Sequence, residues 1–385
     1  MQQCVPSEEI DEAVKWRHHL HQIPELGFEE HETAGFIAAR LVEWGYSVRT
    51  GYGKTGLVGT LSQGTSSKAI GIRADIDALP ISEQTGLSYA SRTPGIMHAC
   101  GHDGHVSMAL AAARTCSRLN FDGTVHFIFQ PAEENEGGGR AMVEDGLFRD
   151  FPMDSIYALH NWPALELGQC VARDDQMMAA FGTFEIKIKG RGAHGAMPHE
   201  GADPIVAASH LVSALQSIAS RNVSPLQSAV ISATQIHGGD AWNVIPEDVV
   251  IRGTTRWFEE DVGAKIEARI RSLAMSVAAG FDCTAKVDHL FRYPATINDP
   301  RCAEIVRNIA STMPGINVAD ALPSMAAEDF AFMLREKPGC YFWLGARRPG
   351  KNPGLHSGYF DFNDDLLPLG TEMWVSLVDS QLKAI

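Results

Sequence analysis

The run Thr124-Val-His-Phe-Ile-Phe-Gln130, followed at once by Pro131-Ala-Glu-Glu134, constrains the fold more than any other stretch of this chain. Its apolar character suits a strand in a sheet covered on both faces, the habit of parallel α/β sheets. Two carboxylates follow where the chain leaves that sheet. The arrangement recurs. A strand over 68–73 leads into Ala74-Asp-Ile-Asp77, and a strand over 155–159 ends at His160-Asn161. Asp75 and Asp77, Glu133 and Glu134, and His160 therefore each sit just past a predicted strand. Strand, chemistry, helix, repeated along the chain, predicts an α/β fold built around a central, mostly parallel sheet, with its site at the strand ends.

Between these strands lies His98-Ala-Cys-Gly-His-Asp-Gly-His105, with three histidines, a cysteine and an aspartate in eight residues. Imidazole, thiolate and carboxylate are the side chains that hold transition metals. The glycines let the backbone turn tightly enough for neighbouring side chains to converge. An Ala-rich, helix-prone segment over 106–119 follows, so the cluster is expected on a loop that opens a helix. A single His there reads as a cap and a single Cys as a buried small hydrophobe; the density of ligand types favours a metal.

The remaining elements supply the architecture. Helices are expected over 7–21, with Ser7 as cap, over 30–45 and over 140–147, and short strands at 47–49 and 57–61. The middle of the chain reads strand 183–189, helix 203–220, strand 228–237, strand 249–257, helix 260–279, strand 284–289. That βαββαβ order is ferredoxin-like. Helices over 301–313 and 328–335 and a strand at 340–344 then return to the α/β rhythm. The expected organisation is a discontinuous α/β domain, 1–182 and 295–385, with a smaller domain, 183–294, inserted into it.

Composition sets the outer bounds. The 385 residues carry a net charge of -15, with 45% hydrophobic and 21% charged residues. This balance argues against nucleic acid and anionic membranes as partners. The seven cysteines are scattered and never form a CxxC pair, which fits a reducing compartment better than a disulfide framework. With a polar N-terminal stretch and no span-length apolar segment, the expectation is a cytoplasmic enzyme. Gly51-Tyr-Gly-Lys-Thr-Gly56 matches GxGxxG, yet Leu57–Leu61 after it reads as a strand where dinucleotide binding needs a helix, so a hairpin turn is expected. No GxSxG elbow, HExxH or zinc-deaminase pattern occurs.

Glu133 and Glu134 are adjacent, so one can serve a metal and the other a water. His160, and His356 in the glycine-rich Pro353-Gly-Leu-His-Ser-Gly358, extend the list of candidates. With Arg17-His-His-Leu-His21, Arg73-Ala-Asp-Ile-Asp-Ala-Leu-Pro80, Gln130-Pro-Ala-Glu-Glu134, Gly190-Arg-Gly-Ala-His194, Asn243-Val-Ile-Pro246 and Glu328-Asp-Phe330 added, the chain resembles, over nearly its full length, the metallo-aminoacylase and carboxypeptidase amidohydrolases, in the branch of hippurate hydrolases and plant auxin-conjugate hydrolases.

The resemblance implies two divalent metal ions per subunit, zinc or manganese, with cobalt or nickel as substitutes in vitro. Their ligands would be Cys100, His102, Glu134, His160 and His356, with Asp77 steering a metal-bound imidazole. Many relatives bridge the metals with a carboxylate where this loop offers Cys100, which leaves the bridging ligand and the metal open. Glu133 would be the general base. His194 would assist the transition state, in relatives often across a dimer interface, and Asn243 is similar to a residue that contacts substrate. Arg256, on a strand of the inserted domain, is a candidate clamp for a substrate carboxylate. The resemblance also makes 1–182 and 295–385 the catalytic metal-binding domain and 183–294 a lid and dimerisation domain, and the expected reaction is hydrolysis of N-acyl amino acids by a homodimer or higher homo-oligomer formed through that lid. An N-acetyl-diaminopimelate-type deacetylase, a dipeptidase or carboxypeptidase, and a non-catalytic binding protein on the same fold are the alternatives.

Overall fold

The structure, a computed structural model, describes residues 5–134 and 136–383. The chain divides into two compact units. One comprises the chain up to Met177, Thr296–Leu322 and the segment from Asp329 onward; the other comprises Met178–Ala295 and Pro323–Glu328.

The first unit is organised on an eight-stranded sheet. At its centre Gly123–Gln130, Ala69–Asp75, Ser155–Trp162 and Gly339–Gly345 run side by side, all parallel. Every residue of Ala69–Asp75 and Gly339–Gly345 is buried, as a sheet covered on both faces requires. Antiparallel neighbours flank this core. On one side Gly56–Gln63 pairs with Gly123–Gln130, and Ser47–Tyr52 pairs with Gly56–Gln63 across the expected hairpin. On the other, Gln169–Val171 runs antiparallel to Gly339–Gly345. The fold is thus α/β with a mainly parallel sheet.

The helix His102–Cys116 is buried at every residue except Arg114. Small side chains make that possible: Ala109, Ala111, Ala112 and Ala113 let Ser7–Gln22 and Leu367–Gln381 pack close on either side. Trp374 of the last helix meets Phe342 of the sheet edge-on, with ring centroids 5.4 Å apart.

The second unit follows the order Ala180–Lys189, Pro204–Ser217, Ala229–His237, Asp248–Trp257, Glu260–Ala279, Thr284–Tyr293, which is βαββαβ. Its four strands are antiparallel. Alternate residues point inward, so Phe184, Ile186 and Ile188 join Leu211, Leu215, Ile266 and Ile270 in a separate core. Asp203 caps the first helix, its Oδ1 accepting the Ile205 N–H at 2.9 Å.

Several expected elements are revised. Pro6, not Ser7, occupies the cap position of the first helix, and no side chain caps it. The helix expected from 106 begins at His102, so His102 and His105 stand on the helix itself. The strand expected to end at Leu159 continues to Trp162 and carries His160 within it. The helix expected at 328–335 begins only at Ala331. Leu367–Gln381 was not anticipated: Pro368 and Gly370 break its pattern, the proline near the start, where a helix tolerates it, and the glycine where a Cβ would stand 2.0 Å from the Met108 sulfur.

Candidate metal centre and active site

The Glu133–Glu134 elbow comes first in the construction. Beyond Gln130 the chain turns so sharply that Ala132 lies at φ +52°. For a residue with a Cβ this left-handed backbone costs roughly 1–2 kcal/mol, so the turn is held from outside. The buried Glu30 accepts the Ala132 N–H at 2.8 Å, and Asp77 Oδ2 accepts the Glu134 N–H at 2.9 Å. The Gly138 N–H returns to the Ala132 carbonyl at 3.0 Å. A side chain at Gly138 would stand 1.7 Å from the Pro131 carbonyl oxygen, so only glycine fits.

The signature loop reaches the same place. Gly101, at φ +96°, turns the chain into the His102–Cys116 helix, and a Cβ there would meet Asn161 Oδ1 at 2.5 Å. This turn places Cys100 and His102 on one side. His102 Nδ1 donates to the Asp77 carbonyl at 2.9 Å and lies 3.2 Å from Asp77 Oδ1, while its Nε2 is buried without a hydrogen-bond partner. Cys100, His102 and Glu134 offer ligand atoms within 4.8 Å of one another. The Cys100 sulfur lies 3.4 Å from His160 Nε2, and His160 Nδ1 donates to the Asn161 carbonyl at 2.7 Å. His356 stands at φ +63°, tied by its N–H to the Ala99 carbonyl, with Nε2 3.0 Å from Glu134 Oε1. The structure therefore brings Cys100, His102 and Glu134 together and sets His160 against Cys100 and His356 against Glu134.

A second group shares His102 and His160 and adds Asp75 and His105, again within 4.8 Å. Sequence reasoning gave His105 no role. It lies between Asp75 Oδ1 and Asn161 Oδ1, 2.6 Å from each. Asp75 is held in turn by Arg73 at 2.7 Å, and Arg73 also contacts Gln130 and Asp329. Beneath the helix start, Asp103 receives the fully buried Arg17 and His21. The signals were present in the His105 and Asp103 letters of the signature and in Arg17 and His21 of the first helix. Their pairing is a tertiary fact that spacing does not carry.

Electrostatics decide what the centre lacks. Burial pulls the His102 imidazole down, but the charges of Asp75 and Asp77 and the bond to Asp77 outweigh it and push it up to about 10. Burial raises the Cys100 thiol well above its ordinary value, and the carboxylates of Glu134, Glu133 and Asp75 add to this. Asp75 is held well below the usual carboxylate range: His102, Arg73 and His105 overcome its burial. Burial, with His105 beside it, keeps His160 neutral. Burial and the charge of Asp77 push Glu30 up to about 7, against the hydrogen bond from Thr55. The centre retains protons because its carboxylates call for positive charge. A divalent cation meets that need, and the orphaned His102 Nε2 with the nearby thiol and Glu134 carboxylate is a suitable donor set. The residues fit a metal.

Next to the His356 loop a cavity of about 780 Å³ is lined in part by Asn161, Arg348, Asn352, Ser357 and Tyr359. The other sequence-derived residues belong to the second unit. His194 is exposed, and its Nδ1 accepts the Ala196 N–H at 3.0 Å. Val244 pairs with His194, and the Asn243 carbonyl accepts the Gly195 N–H at 2.7 Å, so the unit brings His194 and Asn243 together. Arg256 lies over the Phe181 ring at 3.9 Å, donates to the Thr255 carbonyl, and is lowered by burial.

Fold and site together define an amidohydrolase with a candidate metal centre. The chain matches Peptidase family M20/M25/M40 over residues 71–380 and belongs to that family. It is 39% identical over 374 residues to a hippurate hydrolase of Campylobacter jejuni, with 97% of both chains covered. It is 43% identical over 331 residues to an N-acetyl-L-cysteine deacetylase of Bacillus subtilis, covering 86% of this chain and 79% of that one. A crystal structure of a dinuclear metal binding peptidase of the M20 family, also from Bacillus subtilis, shares 32% identity and a TM-score of 0.85, with 98% of this chain and 99% of that one covered.

Proposed function

We propose that this enzyme hydrolyses the amide bond of N-acyl amino acids, and that it holds two divalent ions through Cys100, His102, Glu134, His160 and His356. The carrying observation is the division of labour on the elbow: Glu134 faces His356 and the Cys100–His102 pair, and the buried Glu133 beside it is the carboxylate left for proton transfer once Glu134 serves the metal. Amides resist hydrolysis because water is a weak nucleophile and an amine a poor leaving group. When bound, two divalent ions acidify a water and polarise the carbonyl. Glu133 takes the water proton and delivers it to the departing nitrogen. Asp77 fixes the His102 ring and the Glu134 backbone. His194 donates to the developing oxyanion, a role in which one lost donor costs about 100- to 1000-fold in rate. Asn243, adjoining His194, contacts the substrate, and Arg256 pairs with its free carboxylate.

The second unit acts as a lid and dimerisation domain, taken as 183–294. Support comes from Ala229–His237, an edge strand of its sheet that exposes Val230 and Ile236. A cytoplasmic setting agrees with the six described cysteines, all free and buried. No helix among the described residues is long and apolar enough to cross a membrane. The preferred acyl group separates two readings. The hippurate hydrolase relative favours an aromatic acyl group, whereas the N-acetyl-L-cysteine deacetylase relative favours acetyl. Zinc or manganese is the proposed metal, because thiolate suits the first and carboxylates the second. A panel of N-acetyl, N-benzoyl and indole-acetyl amino acids and N-acetyl-diaminopimelate, assayed on protein reconstituted with each metal, tests the reading. No turnover of any member by fully metal-loaded protein would overturn it.

A further inference from the structure

We propose that Glu30 is the positioning residue of the Glu133–Glu134 elbow, one arm of a two-carboxylate clamp whose other arm is Asp77. The inference rests on the reading of Glu133 as base and Glu134 as ligand. Alternate N–H groups of the turn are captured, Ala132 by Glu30 Oε1 at 2.8 Å and Glu134 by Asp77 Oδ2 at 2.9 Å. Glu133, between them, is thereby fixed at both neighbours.

Three observations set Glu30 apart from an ordinary buried acid. It is fully buried, yet among the described residues it makes no ion pair; its side-chain partners there are the Ala132 N–H and the Thr55 hydroxyl. A carboxylate kept in such a place has a use for two acceptors and no donor. It is the cap residue of the His31–Glu43 helix and its backbone carbonyl accepts the Ala34 N–H, but its carboxylate does not cap that helix: Glu25 accepts the Glu32 and Thr33 N–H groups there. And the residue it holds is the one in the left-handed backbone, at φ +52°. The backbone ties here are Ile76 N–H to the Gln130 carbonyl and Gly138 N–H to the Ala132 carbonyl, and neither holds the Ala132 N–H. With its N–H released, Ala132 relaxes toward negative φ, and the peptide planes of Glu133 and Glu134 rotate with it. Base and ligand then leave their places together.

Two substitutions separate reach from charge. Glu30→Asp keeps the charge but is one methylene short of the Ala132 N–H. Glu30→Gln loses the charge but keeps the reach and an acceptor oxygen, with its amide donating to Thr55. In the metal-loaded full chain, with N-benzoylglycine as substrate, Glu30→Asp should lower kcat by about 10- to 100-fold and weaken metal retention against a chelator by a similar factor, as expected for residues that orient ligands. KM should change little. Glu30→Gln should stay within about threefold of wild type in both. Amide exchange in a peptide spanning 128–134 should accelerate in Glu30→Asp alone. Wild-type kcat and metal retention in Glu30→Asp would overturn the proposal, and so would equal damage in Glu30→Gln. Glu133→Gln, run in parallel, reads the underlying assignment: if it stays active, the base reading fails, while metal retention and amide exchange still decide the clamp.

Discussion

Asp77 ties His102 to Glu134 through one carboxylate: Oδ2 accepts the Glu134 N–H at 2.9 Å, and Oδ1 lies 3.2 Å from His102 Nδ1. Two metal-ligand candidates from distant parts of the chain are thus oriented by a single side chain that needs no metal contact of its own. Asp77→Asn can offer only one side-chain acceptor, so either the elbow loses its partner or His102 keeps only the Asp77 backbone carbonyl. Metal affinity should fall about 10- to 100-fold, measured by chelator competition. Unchanged affinity would mean that the ring and the elbow are held by other groups.

The protonation state of the metal-free centre gives a pH prediction. His102 is pushed up to about 10 and the Cys100 thiol well above its ordinary value. Both folded groups hold their protons more tightly than the unfolded chain does. For His102 the resulting stability is fully present below about pH 6.5, the ordinary imidazole value, and is lost as pH rises through 10. The thiol adds loss of the same sign above its ordinary value. Metal-free protein should therefore lose thermal stability between pH 7 and 10 faster than metal-loaded protein. Binding of metal near pH 7 should release protons, about two if both groups ligate. Calorimetry in two buffers of different ionisation enthalpy counts them. No proton release would remove His102 and Cys100 from the ligand set.

The adjacent glutamates differ in what they should lose. Glu133→Gln should retain both metals and drop turnover by at least about 100-fold, because an amide cannot accept the water proton. Glu134→Gln should lose metal occupancy as well. Elemental analysis beside kinetics distinguishes them, and a metal-free Glu133→Gln protein would require their roles to be exchanged.

The fold class was legible because Gly123–Gln130 and its neighbours announce a covered sheet by composition alone. The βαββαβ order of the second unit was legible from period and turn residues. Element ends were less so. His160 looked as if it lay beyond its strand, because Asn161 and the turn at Pro163 mask the last residues of Ser155–Trp162. The site divides in the same way. Residues with distinctive chemistry, such as Cys100 and Glu134, declare themselves. Glu30 and Arg17 do not, and Asp75 shows only as an acid at a strand end, because the work of an acid or a guanidinium is plain only once it is buried, and burial is decided by elements far away in sequence. Their work is to hold the declared residues: Arg17 on Asp103, Asp75 on His105, Glu30 on Ala132.

Arg256 offers a test of substrate recognition within the second unit. Its guanidinium is spread over Phe181 at 3.9 Å, which leaves its edge available to a carboxylate. Arg256→Ala should raise KM about 10-fold or more for substrates with a free carboxylate, with kcat changed less. The penalty should vanish for the corresponding carboxamides. An equal penalty on both would assign Arg256 to packing on Phe181.

His194 carries the last prediction. It belongs to the second unit, whereas Cys100, His102, Glu134, His160 and His356 all belong to the first. It is exposed, and its Nδ1 is used by the Ala196 N–H, which leaves Nε2 as the donor. A ring fixed in that way, on a Gly-flanked turn paired to Val244, has a defined direction but no partner of its own for Nε2 among the described residues. If it serves the oxyanion, His194→Ala should cut turnover about 100- to 1000-fold while metal content stays intact. Its route to the substrate is either closure within the chain or supply by a second subunit. Mixing inactive Glu133→Gln protein with inactive His194→Ala protein separates these. Supply in trans predicts recovered activity, since some mixed dimers hold one site with both residues. No recovery, with subunit exchange established by mass spectrometry, would assign His194 to the active site of its own chain.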